Sequence, residues 1–341
     1  MRALEKPWHL VLLLSGAWLL LLLVALLSRH ALPVDETRYL SVAWEMWQRG
    51  DMLVPHLNGE PYHHKPPLLF WLINLMWMLF GVSEAAARIV TAAAGLAGAL
   101  LLIPLAAQLW PHERRNGPLA AWILFTAMLW TLWTTTLMFD LLIAVCAEFA
   151  LLGVLIAWRG RRVTGWLTAG LGIGLGVLAK GPVILVYVLP VAMLAPWWMM
   201  DQRPRSWAAW YGGLAGAMVL GGAIGLGWAL TAAAAAGSLE VTSRSIDILK
   251  RLLKSSDTAT RSGAESALRK LAEGDHLPSA RRAHAVLQSI GRAGNAPVPF
   301  RPPPFGGGQR VTVRTVNGVK TIEVQQNDKT TKIIEDPKKG I

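Results

Sequence analysis

The sequence contains little charge and almost no cysteine. Only 16% of its 341 residues are charged, and the mean hydropathy is +0.40, which excludes disorder across the chain and argues against an ordinary soluble enzyme. The single cysteine, Cys146, excludes an internal disulfide and a zinc site built from cysteines. No tryptophan follows Trp228, and the sequence then becomes polar and basic. The chain therefore has two unlike parts, which divide near Ala236.

The first part contains apolar stretches of membrane-spanning length, since a helix needs about 20 residues to cross the hydrocarbon layer. We predict an all-α polytopic membrane bundle within residues 1–235, with a very apolar soluble core as the alternative. Glycine-rich stretches at 170–181 and 212–227 favour close helix packing over nucleotide binding. About seven spans are predicted, at Trp8–Leu27, Ala85–Leu109, Leu119–Leu137, Leu141–Trp158, Trp166–Leu178, Val183–Trp198 and Tyr211–Thr231.

Basic residues orient these spans, because short cytoplasmic segments are enriched in Lys and Arg. They precede the first span and follow the second, fourth and sixth, at Arg2, Lys6, Arg114, Arg115, Arg159, Arg161, Arg162, Arg203 and Arg205. We therefore expect a multi-pass protein of the inner (cytoplasmic) membrane with a cytoplasmic N-terminus. The loop of residues 28–84 and the tail would be extracytoplasmic. A cleaved signal peptide is the alternative for the first span.

The apolar stretch Pro66–Phe80 is too short for an ordinary span. We predict an interfacial helix on the outer leaflet, with a re-entrant helix as the alternative.

The tail carries 18 Lys and Arg against 10 Asp and Glu from Ser238 onward. Residues 236–295 predict short helices, in the manner of a HEAT repeat fragment, with Ser256 or Asp257 as a cap, Gly274 past a helix end and Pro278 in a first turn. A Pro/Gly-rich linker at 296–309 precedes a β-hairpin or meander at 310–341, with its turn at Asn317-Gly318. The spread of the basic residues favours solvated faces, or contact with anionic lipid or envelope polymer, and we predict no nucleic-acid partner. The abrupt join indicates a fusion or a shifted reading frame.

Polar residues that could carry chemistry are predicted to meet at one membrane face. Ionisable groups near membrane depth are costly and are functional candidates, although a headgroup location would make each of them ordinary. They are Asp35, Glu36, Tyr39, Tyr62, His63, His64, Lys65, Asp140 and Lys180.

Three of these features have alternative interpretations. Asp35-Glu36 could take a proton from a hydroxyl, or the two acids could bind a divalent metal. Lys65, beside Pro66-Pro67, suits a lipid phosphate, or it could simply extend to the headgroups. His63-His64 lacks a clear third metal ligand, so the sequence predicts no certain cofactor and no metal site.

Three segments of the long loop resemble a known family. They are Asp35-Glu36-Thr37-Arg38-Tyr39, Gly50–His56 and Tyr62-His63-His64-Lys65-Pro66, followed at later landmarks by Arg88, Phe139-Asp140 and Lys180-Gly181-Pro182. Together they resemble the lipid A aminoarabinose transferases, GT-C glycosyltransferases related to protein O-mannosyltransferases. The resemblance covers residues 8–231, and the pocket residues that later helices supply in that family have no counterpart here.

The resemblance implies inverting transfer of a sugar from a polyprenyl-phosphate donor to a hydroxyl of a lipid or protein acceptor in the cell envelope. Asp35, with Glu36, would be catalytic, and Lys65, Tyr39, Tyr62 and Arg38 would bind the donor phosphate. Asp140, Arg88, Lys180 and His64 would line the pocket. The family has an acid at the position of His64, so a role there that requires negative charge does not carry over.

One other function is consistent with the sequence alone, and a second is disfavoured. The membrane part could be a non-enzymatic anchor that presents the tail to a partner. A transporter is disfavoured, because no inverted repeat is evident and the ionisable residues gather at one face.

Overall fold

The computed structural model describes residues 7–28, 31–32, 35–199, 203–204, 206–254, 258–273, 277–289, 309–316, 319–326 and 329–335. The structure of the first part is almost entirely helical. Its helices are α1 (Pro7–Ser28), α2 (Asp35–Arg49), α3 (Leu68–Phe80), α4 (Glu84–Leu109), α5 (Asn116–Thr126), α6 (Met128–Thr134), α7 (Phe139–Trp158), α8 (Arg162–Lys180), α9 (Ile184–Met193), α10 (Ala195–Trp198) and α11 (Trp207–Leu252). A two-residue hairpin, β1 (His56–Leu57) with β2 (Glu60–Pro61), lies between α2 and α3.

Five described helices are long and apolar enough to cross a membrane: α1, α4, α7, α8 and the Trp207–Gly237 part of α11. The predicted membrane bundle is therefore confirmed, but two of the seven predicted spans are not single straight helices.

The predicted span Leu119–Leu137 is broken into α5 and α6, which are bent by 75° and together could form a sixth span. At the break, the Thr131 hydroxyl donates a hydrogen bond to the Phe125 carbonyl, which the helix ladder no longer satisfies. A side chain inserted into the ladder is a common origin of helix kinks.

The predicted span Val183–Trp198 is divided between α9 and α10 at Leu194, just before Pro196, which lacks a backbone N–H and lies in the first turn of α10. The two helices nevertheless traverse the bundle. They begin beside Lys180 at the end of α8, and the Trp198 ring lies 5.5 Å from that of Trp158, at the far end of α7.

Small residues bring α7 and α8 into close contact. A Cβ at Gly153 would lie 2.4 Å from the Ala169 nitrogen, and one at Gly165 would lie 2.3 Å from the Ala157 nitrogen. Similar contacts join α8 to α11, where a Cβ at Gly221 would lie 2.5 Å from the Ile173 side chain. This packing, typical of membrane helices, places the start of α7 beside the end of α8.

Helix α3 packs one face into the core and exposes the other. Leu69, Phe70, Ile73 and Trp77 are buried, whereas Met78, Leu79 and Phe80 are more than 60% exposed. The helix has 13 residues and begins after Pro67, two residues later than predicted. It is too short for an ordinary span, and its interfacial position stays a prediction.

Helix α11 differs most from expectation. It continues to Leu252 without a break at Ala236, near which the sequence predicted the division between the two parts of the chain. Its last turns pack with α12 (Thr258–Ala272) and α13 (Leu277–Ser289) around Ile246, Leu268 and Leu287.

Three strands lie beyond these helices: β3 (Gln309–Val316), β4 (Val319–Gln326) and β5 (Lys329–Glu335) form an antiparallel meander. Val316 pairs with Val319, so the connection has two residues. Ser256, Asp257, Gly274, the linker 296–308 and Asn317-Gly318 lie outside the described residues, and the tail boundaries and the HEAT assignment stay predictions.

Candidate functional site

The site is built where α7 begins and α8 ends. Lys180 Nζ lies 2.7 Å from Asp140 Oδ1, and both side chains are partly exposed. Asp140 is in the first turn of α7 and Lys180 is the last residue of α8. Each charge is favoured by the dipole of its own helix, because anions are stabilised at helix N-termini and cations at C-termini.

The first turn of α2 contributes a second ion pair. Arg38 Nη2 contacts Asp35 Oδ1, three residues earlier on the same face, and the Asp35 side chain is 43% exposed. Asp35 therefore presents a carboxylate at the surface of the site with a cation beside it.

Phe139 joins these elements to the loop. Its ring meets that of Tyr39 edge-on, with centroids 4.9 Å apart. On the same ring, Lys65 Nζ lies 5.6 Å from the centroid, which is within the range of a cation–π interaction. Lys65 from the loop, Tyr39 from α2 and Phe139 from α7 are thus brought together, and their role in one functional site with Asp140 stays a prediction.

Two buried tyrosines line this cluster. Burial is the main cause that raises the pKa of the Tyr39 phenol, with the nearby Asp35 charge second. Burial likewise raises the pKa of Tyr62, although the Arg38 charge opposes it. Both phenols therefore keep their protons at neutral pH and can donate hydrogen bonds to an anion.

Glu36 faces away from Asp35 and into the protein. It is 1% exposed, and its two oxygens accept hydrogen bonds of 2.6 Å from the backbone N–H groups of Leu32 and Leu137. Arg88 Nη2 lies 3.5 Å from Glu36 Oε2 and is also buried. These contacts fix the backbone before α7. Glu36 and Arg88 are therefore buried side chains that support the site's backbone, and they are not exposed at its surface.

The histidines lie at the rim. His63 and His64 are exposed, and the His64 ring is 5.4 Å from that of Tyr62. Among the described residues, no group of three or more His, Cys, Asp or Glu side chains could hold a metal ion.

Two tryptophans hold the loop in ways that sequence reasoning missed. Trp71 Nε1 donates to the Met52 carbonyl at 2.6 Å, and Trp228 Nε1 donates to the Leu53 carbonyl at 3.0 Å. Trp228 is 175 residues from its acceptor. No local sequence pattern indicates that contact, and none indicates that Phe139 joins Tyr39 to Lys65.

Apolar spanning helices, with partly exposed acids and cations and two buried phenols gathered at one end, define a polytopic membrane protein with a candidate site at the end of its helix bundle. Comparison with known proteins identifies the family that this membrane protein resembles. Residues 64–224 match the family described as dolichyl-phosphate-mannose-protein mannosyltransferase. The membrane part of the chain resembles the GT-C glycosyltransferases of this type, as the sequence predicted.

The similar proteins include curated bacterial transferases. An undecaprenyl phosphate-alpha-4-amino-4-deoxy-L-arabinose arabinosyl transferase from Serratia proteamaculans is 31% identical over 237 residues, which cover 68% of this chain and 41% of the relative. An enzyme of the same name from Pectobacterium carotovorum is 33% identical over 191 residues, or 55% of this chain and 34% of that enzyme.

A solved structure is also similar. The crystal structure of ArnT from Cupriavidus metallidurans bound to undecaprenyl phosphate superposes with a TM-score of 0.56 at 26% identity, covering 66% of this chain and 41% of that one. The chain thus spans about two fifths of the length of the relatives it matches.

Proposed function

We propose that this chain transfers a sugar from a polyprenyl-phosphate donor to an acceptor hydroxyl at the extracytoplasmic face of the bacterial inner membrane. The observation that carries the proposal is the site itself, with an exposed carboxylate at Asp35 and a loop cation at Lys65 gathered around Tyr39 and Phe139. Its similarity to transferases named for undecaprenyl-phosphate-linked sugars supports the donor class.

Asp35 is the proposed general base. Its carboxylate takes the proton of the acceptor hydroxyl as the oxygen attacks the anomeric carbon. The bond from that carbon to the donor phosphate breaks on the opposite side, the configuration inverts and the lipid phosphate leaves. Arg38, paired with Asp35, orients the carboxylate for this step.

Lys65, Tyr39 and Tyr62 are the proposed phosphate ligands. The leaving phosphate gains negative charge as the bond breaks, and preorganised donors stabilise such charge most strongly where water is scarce. Lys65 Nζ lies against the Phe139 ring, and no carboxylate among the described residues pairs with it, so its charge is available to the phosphate. The protonated phenols supply neutral hydrogen-bond donors beside it.

The Asp140–Lys180 ion pair joins the start of α7, one residue after Phe139, to the end of α8. Its partial exposure lets Asp140 accept hydrogen bonds from sugar hydroxyls while Lys180 fixes its orientation. Glu36 and Arg88 act as positioning residues, because they are buried and hold the backbone at Leu137, three residues before Asp140.

The orientation proposed for the chain agrees with the contacts of α11. Trp228 contacts the site loop, and Trp207 lies 21 residues earlier on the same helix, about 32 Å away at 1.5 Å per residue. Trp207 is therefore at the opposite end of the bundle, near the basic residue Arg203. The positive-inside rule then makes the N-terminus cytoplasmic and the tail extracytoplasmic.

The test is transfer by this chain reconstituted in liposomes with labelled undecaprenyl-phosphate-4-amino-4-deoxy-L-arabinose and lipid A as the acceptor. Labelled lipid A is the expected product. A well-folded preparation that forms no labelled product with lipid A would contradict the proposal for this donor and acceptor.

A further inference from the structure

Glu148 is the one acidic residue in the interior of α7. It is the tenth of the helix's 20 residues, so it lies near the middle of a membrane span. Its Oε2 atom is buried and has no hydrogen-bond partner among the described residues. A carboxylate at this depth is costly unless it is paired or protonated.

The carboxyl group lies in a gap that a glycine provides. A Cβ at Gly98 of α4 would lie 3.1 Å from Glu148 Oε2 and 2.6 Å from the Trp130 ring of α6. Any larger side chain at position 98 would fill the space that the carboxyl occupies. The indole N–H of Trp130 does not satisfy the Glu148 carboxyl group, because Trp130 Nε1 donates to the Gly95 carbonyl at 3.1 Å.

No charged residue of the neighbouring helices pairs with Glu148 in the part of the chain that the structure describes. Helix α7 packs against α4, α6, α8 and α9. The charged residues of α4 and α8 lie at helix ends, and α6 and α9 carry none, although α9 has one phenol. The titratable and charged groups on these helices and on α7 are Glu84, Arg88, Asp140, Cys146, Arg162, Lys180 and Tyr187.

We propose that Glu148 is a proton-binding site, occupied as a neutral carboxylic acid in the membrane at neutral pH. The burial of Oε2 at mid-span, the lack of a paired cation among the described residues and the fitted gap at Gly98 all favour the protonated form. Loss of the proton places an unpaired charge between α4, α6 and α7. Because α7 also carries Asp140, deprotonation is expected to loosen the packing that positions the site.

A protonated carboxyl at membrane depth has a distinctive reactivity. The apolar reagent dicyclohexylcarbodiimide partitions into bilayers and takes the acid's proton on one of its nitrogens. The carboxylate oxygen then bonds to the central carbon, and the adduct rearranges to a stable N-acylurea. The product contains every atom of both reactants, so no other co-reactant is required.

The deciding experiment is an infrared difference spectrum between the wild-type chain and the Glu148→Gln variant, both reconstituted in liposomes at neutral pH. The expected difference is the carbonyl band of one protonated acid, which is lost as the pH is raised. Carboxylate bands in its place would overturn the proposal.

Carbodiimide labelling of the wild type provides a second readout that needs no variant. The yield at residue 148, mapped by mass spectrometry, is expected to exceed that at Glu265 at least tenfold, because Glu265 is partly exposed and paired with Arg269. Equal yields at the two residues would also overturn the proposal. Neither measurement uses transferase activity, so the result does not depend on the proposed function.

Discussion

Glu36→Gln is expected to destabilise the fold, because Glu36 is a buried ion that holds two separate backbone segments. Gln keeps one acceptor oxygen and replaces the other with an amide NH₂. That group would face the N–H of either Leu32 or Leu137, so one of these donors loses its acceptor. An unsatisfied buried donor costs about 1–3 kcal/mol.

The substitution also removes the charge opposite Arg88. Breaking a buried ion pair from one side costs about 3–5 kcal/mol. Glu84 moderates this loss, because its Oε2 lies 4.0 Å from the same guanidinium nitrogen. We therefore expect a total loss of at least about 3 kcal/mol in the free energy of unfolding, which is the lower limit of the ion-pair loss alone.

The assay is chemical unfolding in detergent, followed by tryptophan fluorescence. Glu265→Gln is the matched control, because it removes a carboxylate from a partly exposed pair in the tail, and it should change the free energy by less than about 1 kcal/mol. If Glu36→Gln were as stable as Glu265→Gln, the positioning role of Glu36 would be refuted.

Four further results are expected. Lys65→Ala should weaken binding of undecaprenyl phosphate at least tenfold. The control Lys250→Ala removes an exposed lysine at the end of α11 and should leave the affinity unchanged. Equal affinities in the wild type and both variants would mean that Lys65 only contacts lipid headgroups. Trp228→Phe should accelerate hydrogen exchange at residues 51–55, because the Leu53 carbonyl loses its donor, and an unchanged rate would contradict that clamp. Burial lowers the pKa of His56 in the folded state, so the unfolded chain binds a proton more readily than the folded chain. The free energy of unfolding should therefore fall as the pH drops below about 6.5. In a series of unfolding curves at different pH values, His56→Asn should reduce this pH dependence. A membrane-impermeant thiol reagent applied to intact cells should label His64→Cys but not Arg161→Cys, with little background from the buried Cys146, and the reverse labelling would invert the proposed topology.

Much of the membrane architecture was predictable because its signals are local and strong. Runs of about 20 apolar residues identify α1, α4, α7, α8 and α11 without tertiary information. The two broken segments were not predictable from apolar length alone, since α5–α6 and α9–α10 remain apolar across their breaks. The physical cause of one break is a hydroxyl, from Thr131, that satisfies a backbone carbonyl.

The candidate site was predictable in part for a similar reason. Asp140 and Lys180 lie at the ends of apolar helices, so alternation across the membrane brings them to one face, and the structure places them 2.7 Å apart. No comparable sequence pattern shows which of the adjacent acids Asp35 and Glu36 is exposed. Asp35 is partly exposed and Glu36 is buried because successive positions of a helix point 100° apart, and only the packed structure shows which of them faces the core.

The most direct test of the central claim separates donor binding from transfer in Asp35→Asn. This variant is expected to bind the labelled undecaprenyl-phosphate sugar with an affinity close to that of the wild type, while single-turnover transfer falls by at least about 100-fold, the scale of a lost general base. Transfer at the wild-type rate by a variant that lacks the carboxylate would contradict it.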